Sequence, residues 1–298
     1  MIDERAWQEW EEASPRRQRT RKKRRRGRAL RRFLAAVLVL CALAGWFWWQ
    51  QNGLSTETIS VSGAPEGFRG YRIAVISDLH GKEFGEGNET LLSFVKGLKP
   101  DLIAMVGDLI HDPAQMAMVP PVAKGLAAIA PTYYVTGNHE WAAGVVRELE
   151  DLLESCGVAV LSNDYVTLTR GGSTLALLGA EDSNGYADQE TVEELAQRAR
   201  RREGKDTYLL LLSHRNNRYK EYARAKADLT LAGHAHGGLI RLPGTDGLIG
   251  PRREWMPDYT AGLYPLEYGQ MVVSRGLGGQ FPTFRLLNRP DVPLVVLQ

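Results

Sequence analysis

Five short groups of metal-binding residue types occur in one order along this chain, and each follows a short apolar run. They are Asp78-Leu79-His80, Gly107-Asp108, Gly137-Asn138-His139-Glu140, His214 and Gly233-His234-Ala235-His236. Five of the six histidines fall in this series. Because a side chain just past the end of a buried strand is held rigidly and still reaches solvent, the series predicts a site assembled at several strand ends.

Strand-like and helix-like stretches alternate from Tyr71 onward. Strands are predicted over residues 72–77, 102–107, 132–136, 175–179, 208–213, 229–232, 271–274 and 294–297. Helices are predicted over residues 86–98, 114–128, 142–156, 189–202 and 216–226. This alternation favours an α/β fold of parallel βαβ units covered by helices. The final third has fewer helices and more Gly and Pro, so we expect a second, more antiparallel sheet there.

The charge of the chain is divided unevenly. Residues 1–32 carry 13 Lys and Arg against 5 Asp and Glu, whereas the remaining residues carry 24 against 30. The basic character therefore belongs to the tail, and the body is mildly acidic. A body of this sign is a poor match for nucleic acid, which proteins bind by neutralising many phosphates. Cys41 and Cys156 are poorly placed to pair, so we expect no disulfide.

An apolar segment follows the basic tail directly. Residues 16–32 contain 12 Lys and Arg and no acid, and residues 33–49 are 17 uncharged residues ending in an aromatic cluster. About 17 residues suffice for a membrane-spanning helix, and the flanks follow the positive-inside rule. We expect a single-pass anchor in the cell membrane with a cytoplasmic N-terminus. A cleaved signal peptide and a buried core helix remain alternatives.

Four regions follow from these patterns. We predict a basic cytoplasmic tail over 1–32, a transmembrane anchor over 33–52, a linker over 53–70 and a catalytic domain over 71–298 outside the cytoplasm. A strand is expected within the linker, around residues 58–62. The sequence carries no signal for the oligomeric state.

The residue types of the series suit hydrolysis of a phosphate ester. Mixed oxygen and imidazole ligands without thiolate favour Mn, Fe, Zn, Mg or Co over a structural zinc site. Two such ions about 3.5–4 Å apart can share a hydroxide at neutral pH and neutralise charge on the phosphate. Each group alone is a weak signal, but the order and spacing together are specific.

The full pattern resembles the calcineurin-like metallophosphoesterase superfamily, from about Tyr71 to the C-terminus. The run Gly-His-Ala-His-Gly-Gly-Leu-Ile and the later Ser274-Arg-Gly-Leu-Gly278 are similar to its bacterial membrane-associated phosphodiesterase branch. That resemblance implies a two-sheet βαβ-type sandwich flanked by helices. It also implies two divalent metal ions.

The resemblance assigns a role to each member of the series. It implies that Asp78, His80 and His236 hold the first metal and that Asp108 bridges both metals. It further implies that the second metal is completed by Asn138, His214 and His234. His139 would contact the phosphate or protonate the leaving oxygen as a general acid. Glu140 would hold the ligands in position without binding a metal itself.

Two further residues are weaker candidates for contact with substrate. His111 follows Gly-Asp-Leu-Ile and could border the pocket, although a solvated loop histidine is the simpler interpretation. Arg215 could bind a phosphate through its planar guanidinium, and a surface ion pair is an equal alternative. Asn216 and its neighbours depart from the proline that relatives often carry two residues after the histidine.

The expected function is hydrolysis of a phosphodiester or pyrophosphate by a hydroxide that bridges two metals. The anchor favours a lipid-linked or envelope-linked substrate, because tethering raises encounter with membrane-borne headgroups. The alternatives are a soluble cyclic-nucleotide or general phosphoesterase and, with less support, a non-catalytic metal-binding scaffold.

Overall fold

The structure is a computed structural model that describes residues 3–13, 15–242, 244–250, 253–279 and 284–298. The chain divides into two units, Met1–Trp49 and Gln50–Gln298. The N-terminal unit contains α1 (Glu4–Ala13) and most of α2 (Pro15–Asn52). The helix from Gln18 to Asn52 is long and apolar enough to cross a membrane by length and composition, and its apolar window is unburied. The buried core helix considered from the sequence is therefore not supported.

Two six-stranded sheets form the second unit. The first sheet contains, in spatial order, β1 (Thr58–Val61), β12 (Leu294–Leu297), β2 (Arg72–Ile76), β3 (Leu102–Val106), β4 (Thr132–Val135) and β5 (Ala159–Val160). The second contains β10 (Gly262–Pro265), β11 (Gln270–Val273), β9 (Leu229–Gly233), β8 (Tyr208–Arg215), β7 (Ser173–Gly179) and β6 (Asp164–Arg170). The α/β two-sheet class is confirmed.

Helices cover the outer face of each sheet. They are α3 (Glu89–Leu98), α4 (Val119–Ala127), α5 (Asn138–Ala143), α6 (Val146–Ser155), α7 (Val192–Glu203) and α8 (Tyr219–Arg224). The predicted helix over 142–156 is two helices, because Gly144 leaves the helical conformation at φ 70° between α5 and α6. The predicted helix over 114–128 begins as a 3₁₀ turn over Pro113–Met118 and becomes α-helical only at Val119.

The central strands are apolar on both faces, which explains their nearly continuous hydrophobic sequences. In β2, Ile73 and Val75 join the core between the sheets, whereas Ala74 and Ile76 face the helices. In β8, the same alternation sends Leu210 to the inter-sheet core and Leu211 to the outer one. Both sheets are thus fixed between two apolar layers.

The second sheet is the more antiparallel of the two, as expected, with two antiparallel pairs against one in the first sheet, but these pairs lie only at its edges. Strands β7, β8, β9 and β11 pair in parallel, and only the edge strands β6 and β10 are antiparallel. The central strands are parallel because α7 and α8 carry the chain back to the same end of the sheet before β8 and β9 begin. The Gly- and Pro-rich residues between β9 and β10 form loops, and β10 and β11 follow them.

The predicted linker over 53–70 is part of the folded unit. The expected strand within it is β1, which pairs in parallel with β12 from Thr58↔Leu294 to Val61↔Leu297. Ile59, Val61 and Phe68 enter the inter-sheet core. Because this pairing and burial hold the segment in the sheet, the compact unit begins at Gln50 rather than at Tyr71.

Candidate metal centre

The carboxyl ends of five parallel strands carry the whole predicted series. Asp78 and His80 follow β2, Asp108 follows β3, and Asn138 and His139 follow β4. On the second sheet, His214 lies near the end of β8, and His234 and His236 follow β9. Since β3 contacts both β8 and β9 across the sandwich, the polar ends of the two sheets meet at one place.

The main chain at this place is in an uncommon conformation. Five of the candidate ligands have left-handed backbones, namely Asp78, His80, Asp108, His234 and His236, with φ between 49° and 69°. Non-glycine residues rarely adopt such angles, and they persist where the surrounding structure compensates the strain. The strain is concentrated at the residues whose side chains converge.

Asp78, His80 and His236 form one cluster of donor atoms. The Nε2 atoms of His80 and His236 are 3.2 Å apart, and His236 Nε2 is 3.5 Å from Asp78 Oδ1. All three residues are buried. The backbone N–H of His234 donates to the Asp78 carboxylate at 3.1 Å, which fixes the carboxylate toward the cluster.

Asp108, His214 and His234 form a second cluster. His214 Nε2 is 3.1 Å from Asp108 Oδ2 and 3.2 Å from His234 Nδ1. The Nδ1–H of His214 is oriented by the Val106 carbonyl at 2.8 Å. This hydrogen bond assigns the proton to Nδ1 and turns Nε2 toward the cluster, as second-shell partners of metal ligands do.

A register shift in β8 sets the direction of His214. Leu212 pairs with Leu231, but Arg215 pairs with Gly233, so β8 contains one extra residue between these pairs. A β-bulge of this kind re-aims side chains and is frequent beside functional sites. Without this extra residue, the regular alternation of side chains along β8 would decide which face of the sheet carries His214.

Asp108, a member of the second cluster, also lies close to the first. Its Oδ2 is 3.7 Å from His80 Nε2 in the first cluster and 3.9 Å from His139 Nε2. Its Oδ1 accepts the backbone N–H of His139 at 2.9 Å. The His139 ring contacts the His80 ring edge to face at 4.8 Å and keeps 26% of its side chain exposed. His139 is therefore a partly exposed imidazole at the centre of the site.

Burial determines which imidazoles are charged. Burial lowers the pKa of His80 and of His236 below the usual value, and burial with the nearby His214 lowers the pKa of His234 to about 2. Burial acts in the same direction on His214, but the Asp108 carboxylate raises its pKa to about 10. Burial acts to raise the pKa of Asp108, and His214 holds it well below its usual range. His80, His234 and His236 are therefore neutral, whereas His214 pairs with Asp108, and a cation bound at His214 Nε2 would displace its proton.

These residues fit divalent metal ions. Neutral imidazoles offer ring lone pairs, and His80 Nε2 and His236 Nε2 lie 3.2 Å apart in the first cluster, where both could bind one cation. The Oδ1 atom of Asn138 is buried without a hydrogen-bond partner, as an amide oxygen that binds a metal would be. Oxygen and imidazole donors of this kind suit Mn, Fe, Zn, Mg and Co.

Glu140 holds the Asp108 loop in place. Its buried carboxylate accepts backbone N–H groups from Asp108 at 3.1 Å, Leu109 at 2.6 Å, Ile110 at 3.4 Å and Gly137 at 2.8 Å. Burial, followed by the Asp108 charge, raises the pKa of Glu140 to about 8, whereas the N–H donors favour its ionised form. One side chain therefore joins the loop after β3 to the loop after β4.

Two glycines permit the close approach of these loops. A Cβ atom on Gly137 would lie 2.2 Å from Asp108 Oδ1. Gly276 has φ +69°, and a Cβ atom there would lie 2.7 Å from Asp78 Cβ. The Leu277 N–H donates to the Ser77 carbonyl at 3.1 Å. The 274–278 motif noted in the sequence is thus the strap that covers Asp78, a role that spacing alone did not indicate.

The structure places the two weaker candidates differently. His111 borders the site, with its ring 5.9 Å from that of His80 and 6.3 Å from that of His139. The Arg215 guanidinium donates to Asp182 through Nε at 2.7 Å and through an NH₂ group at 2.9 Å, in a pair that is buried rather than on the surface. A substrate contact by Arg215 stays a prediction, and Asp182 is a partner that no motif indicated.

Replacing Glu140 with Gln tests the support of Asp108. The amide cannot accept all four N–H groups, and its NH₂ would face a donor, so we expect a loss of about 2–3 kcal/mol in unfolding free energy. Metal content, measured by elemental analysis, should fall with it. Glu154→Gln on the exposed surface of α6 is the matched control. Equal stability and metal content in the two variants would contradict this role for Glu140.

Comparison with known proteins agrees with the geometry. Residues 71–238 match the family model described as calcineurin-like phosphoesterase. The chain is 29% identical over 250 residues to the uncharacterized metallophosphoesterase YkuE of Bacillus subtilis, covering 81% of this chain and 84% of that protein. It is 29% identical over 236 residues to the phosphodiesterase YaeI of Escherichia coli, covering 76% and 82%.

A vertebrate relative is also similar. The chain is 28% identical over 256 residues to a transmembrane protein with metallophosphoesterase domain from Danio rerio, covering 80% of this chain and 56% of that protein. This chain therefore spans little more than half of that relative. The family model covers more than half of this chain, including each predicted ligand from Asp78 to His236. The chain belongs to the calcineurin-like phosphoesterase family.

Proposed function

We propose that this protein is a phosphodiesterase or pyrophosphatase that requires two divalent metal ions and is anchored in a membrane. The observation that supports the proposal most is the pair of donor clusters joined by Asp108. Asp78, His80 and His236 would hold one ion, Asn138, His214 and His234 the other, and Asp108 would contact both. The diesterase named among the relatives supports the diester class.

The chain's own groups would bind and orient the phosphate. Bound divalent cations would neutralise charge on the phosphate and activate water as the nucleophile. His139 is close enough to the centre to contact a phosphate oxygen and exposed enough to reach the leaving group. In that position it would donate a proton to the leaving oxygen. His111, beside it, would border the same phosphate.

The membrane anchor is part of the proposal. The apolar window of α2 is unburied, and the basic residues before it favour a cytoplasmic N-terminus. Relatives named as transmembrane proteins support membrane association.

The catalytic unit would then lie outside the cytoplasm. External protease should therefore digest this unit in intact cells while sparing an N-terminal tag.

Loss of the bridging carboxylate should abolish the reaction. For the full chain in detergent with Mn²⁺, we expect Asp108→Asn to reduce kcat/KM for bis-p-nitrophenyl phosphate more than about 100-fold. Loss of a residue that only supports a ligand costs up to about 100-fold, and loss of a direct ligand should cost more. The neutral amide cannot join two cations. Chelation should have the same effect on the unmodified chain, with recovery on adding Mn²⁺. Full activity of Asp108→Asn would refute the mechanism.

His139→Ala should separate metal binding from proton transfer. We expect kcat to fall by about 10²–10⁴-fold, the contribution of general acid–base catalysis, with metal content unchanged. The loss should be greater for a diester with an alkoxide leaving group than for a p-nitrophenyl ester, because a good leaving group needs no proton. His80→Ala is the control that should lose metal. A uniform loss on both esters would argue against the general-acid role.

The substrate class can be tested against the soluble alternative. We expect the full chain in vesicles to hydrolyse a lipid-linked pyrophosphate with higher kcat/KM than cyclic nucleotides, because the anchor holds the site at the membrane surface. Metal-dependent release of phosphate products from both would be measured under the same conditions. A preference for cyclic nucleotides would support a soluble ester as the substrate instead.

A further inference from the structure

Four loop segments beside the metal centre join into a small ribbon. They are residues 239–242, 247–250, 253–256 and 284–287, here named the loop ribbon. Backbone hydrogen bonds join them in order: Arg241 N–H to the Leu286 carbonyl at 3.0 Å, Leu248 N–H to Ile240 at 2.8 Å, and Met256 N–H to Leu248 at 2.9 Å. The segments therefore form one surface.

The loop ribbon carries most of the exposed large hydrophobic side chains of the catalytic unit. Eight such side chains are exposed among the residues of 50–298 that the structure describes. Five belong to the ribbon: Leu242 at 46%, Trp255 at 69%, Met256 at 61%, Phe284 at 49% and Leu287 at 43%. Single exposed apolar residues are ordinary, but a concentration of them on one surface indicates an interaction site.

The ribbon contacts Gln51, near the C-terminal end of α2. Gln51 Nε2 donates to the Arg285 carbonyl at 2.6 Å, and Arg285 N–H donates to Gln51 Oε1 at 2.9 Å. Lys82 Nζ also donates to the Gln51 carbonyl. Only Gln50 separates Gln51 from Trp49, the last residue of the apolar segment. Gln51, the residue that binds the ribbon, is therefore two positions after that segment along the chain.

The ribbon also borders the proposed catalytic site. Leu239 follows the His234–Gly238 turn directly, and Asn288 Nδ2 donates to the His236 carbonyl at 2.8 Å. A cavity of about 340 Å³ is lined by His234 of the site and Glu254 of the ribbon, together with residues that include Tyr259. One part of the ribbon thus contacts Gln51, and another borders the mouth of the site.

The charges of the ribbon favour a lipid surface bound through apolar contact. Arg241 pairs with Asp246 at 3.7 Å, and the exposed Arg253 is followed by the exposed Glu254. These charges offset one another, and Arg285 is buried and donates to the Gly278 and Arg275 carbonyls. The described residues of the ribbon therefore form no basic patch for anionic headgroups. Trp, Leu, Met and Phe side chains partition into the headgroup–acyl boundary of a bilayer.

We infer that the loop ribbon is a membrane-contact surface whose apolar side chains enter the interfacial layer of the bilayer that anchors the chain. The contact places the mouth of the cavity at the level of lipid headgroups. This inference rests on the proposed membrane anchor, and its partner is a lipid bilayer rather than a protein. It gives the site a direct route to phosphoesters carried by lipids.

Fluorescence in vesicles tests the contact without relying on hydrolysis. The full chain, with Cys41→Ser and Cys156→Ser, would carry Trp255→Cys or Leu242→Cys and an environment-sensitive label in phosphatidylcholine vesicles. We expect a blue shift and strong quenching by spin-labelled lipids, insensitive to salt. Tyr268→Cys is the matched control. Tyr268 is an exposed aromatic residue that donates to Asp228, which precedes the first residue of β9, whereas His234 of the site and the ribbon follow the last residue of β9.

Two diesters with the same leaving group provide the second readout. Trp255→Ser with Met256→Ser should leave hydrolysis of bis-p-nitrophenyl phosphate unchanged. Hydrolysis of phosphatidyl-p-nitrophenol in the vesicles should fall about tenfold or more, as expected for removing large apolar groups from the contact. Tyr268→Ser should alter neither rate.

The outcomes separate this surface from the proposed reaction. Labels at 255 and 242 that are quenched no more than the label at 268 would overturn the membrane contact, whatever the enzyme hydrolyses. Quenching at 255 and 242 in a chain that hydrolyses neither diester would support the surface and refute the proposed function.

Discussion

The Asp108 carboxylate is the group through which the two donor clusters are joined. One oxygen lies within 3.1 Å of His214 Nε2 and 3.7 Å of His80 Nε2, and the other accepts the His139 N–H. Glu140 fixes the main chain on which this carboxylate stands, through four backbone N–H groups. A movement of Asp108 would change both clusters at once, so the geometry of the site depends on this one loop.

Such a site is costly to fold. Burial of carboxylates and imidazoles is unfavourable unless each has a partner, and left-handed backbones at five candidate ligands add strain. The Asp108–His214 ion pair, the Glu140 hydrogen bonds and the Val106 carbonyl offset part of that cost. The apolar layers on both faces of β2, β3 and β8 hold the strand ends rigid. Stability is concentrated in the sheets, and the strained polar loops begin where they end.

Much of this arrangement could be predicted from the sequence because local patterns determine it. The apolar runs of the central strands end within a residue or two of the predicted positions, since burial on both faces makes them hydrophobic throughout. Edge strand β6 was missed because its alternating polar residues leave a weak signal. The confinement of the antiparallel pairs to the edges of the second sheet depends on where α7 and α8 return the chain, which local patterns do not record. The bulge between Leu212 and Arg215 and the Asp182 partner of Arg215 depend on residues distant in sequence.

By itself, the sequence determined the residue types of the site, their order after apolar strands, the basic tail and the apolar segment. These are properties of short stretches, and periodicity and composition record them directly. Only the tertiary structure decided that Asp108 of one cluster lies close to the other, that residues 274–278 cover Asp78, and that 50–70 belong to the folded unit. It also brought Gln51 to Arg285 and the loop ribbon to the mouth of the site. Those relations join residues up to 236 positions apart, and they arise because the packing of the two sheets brings distant strands and their carboxyl ends together.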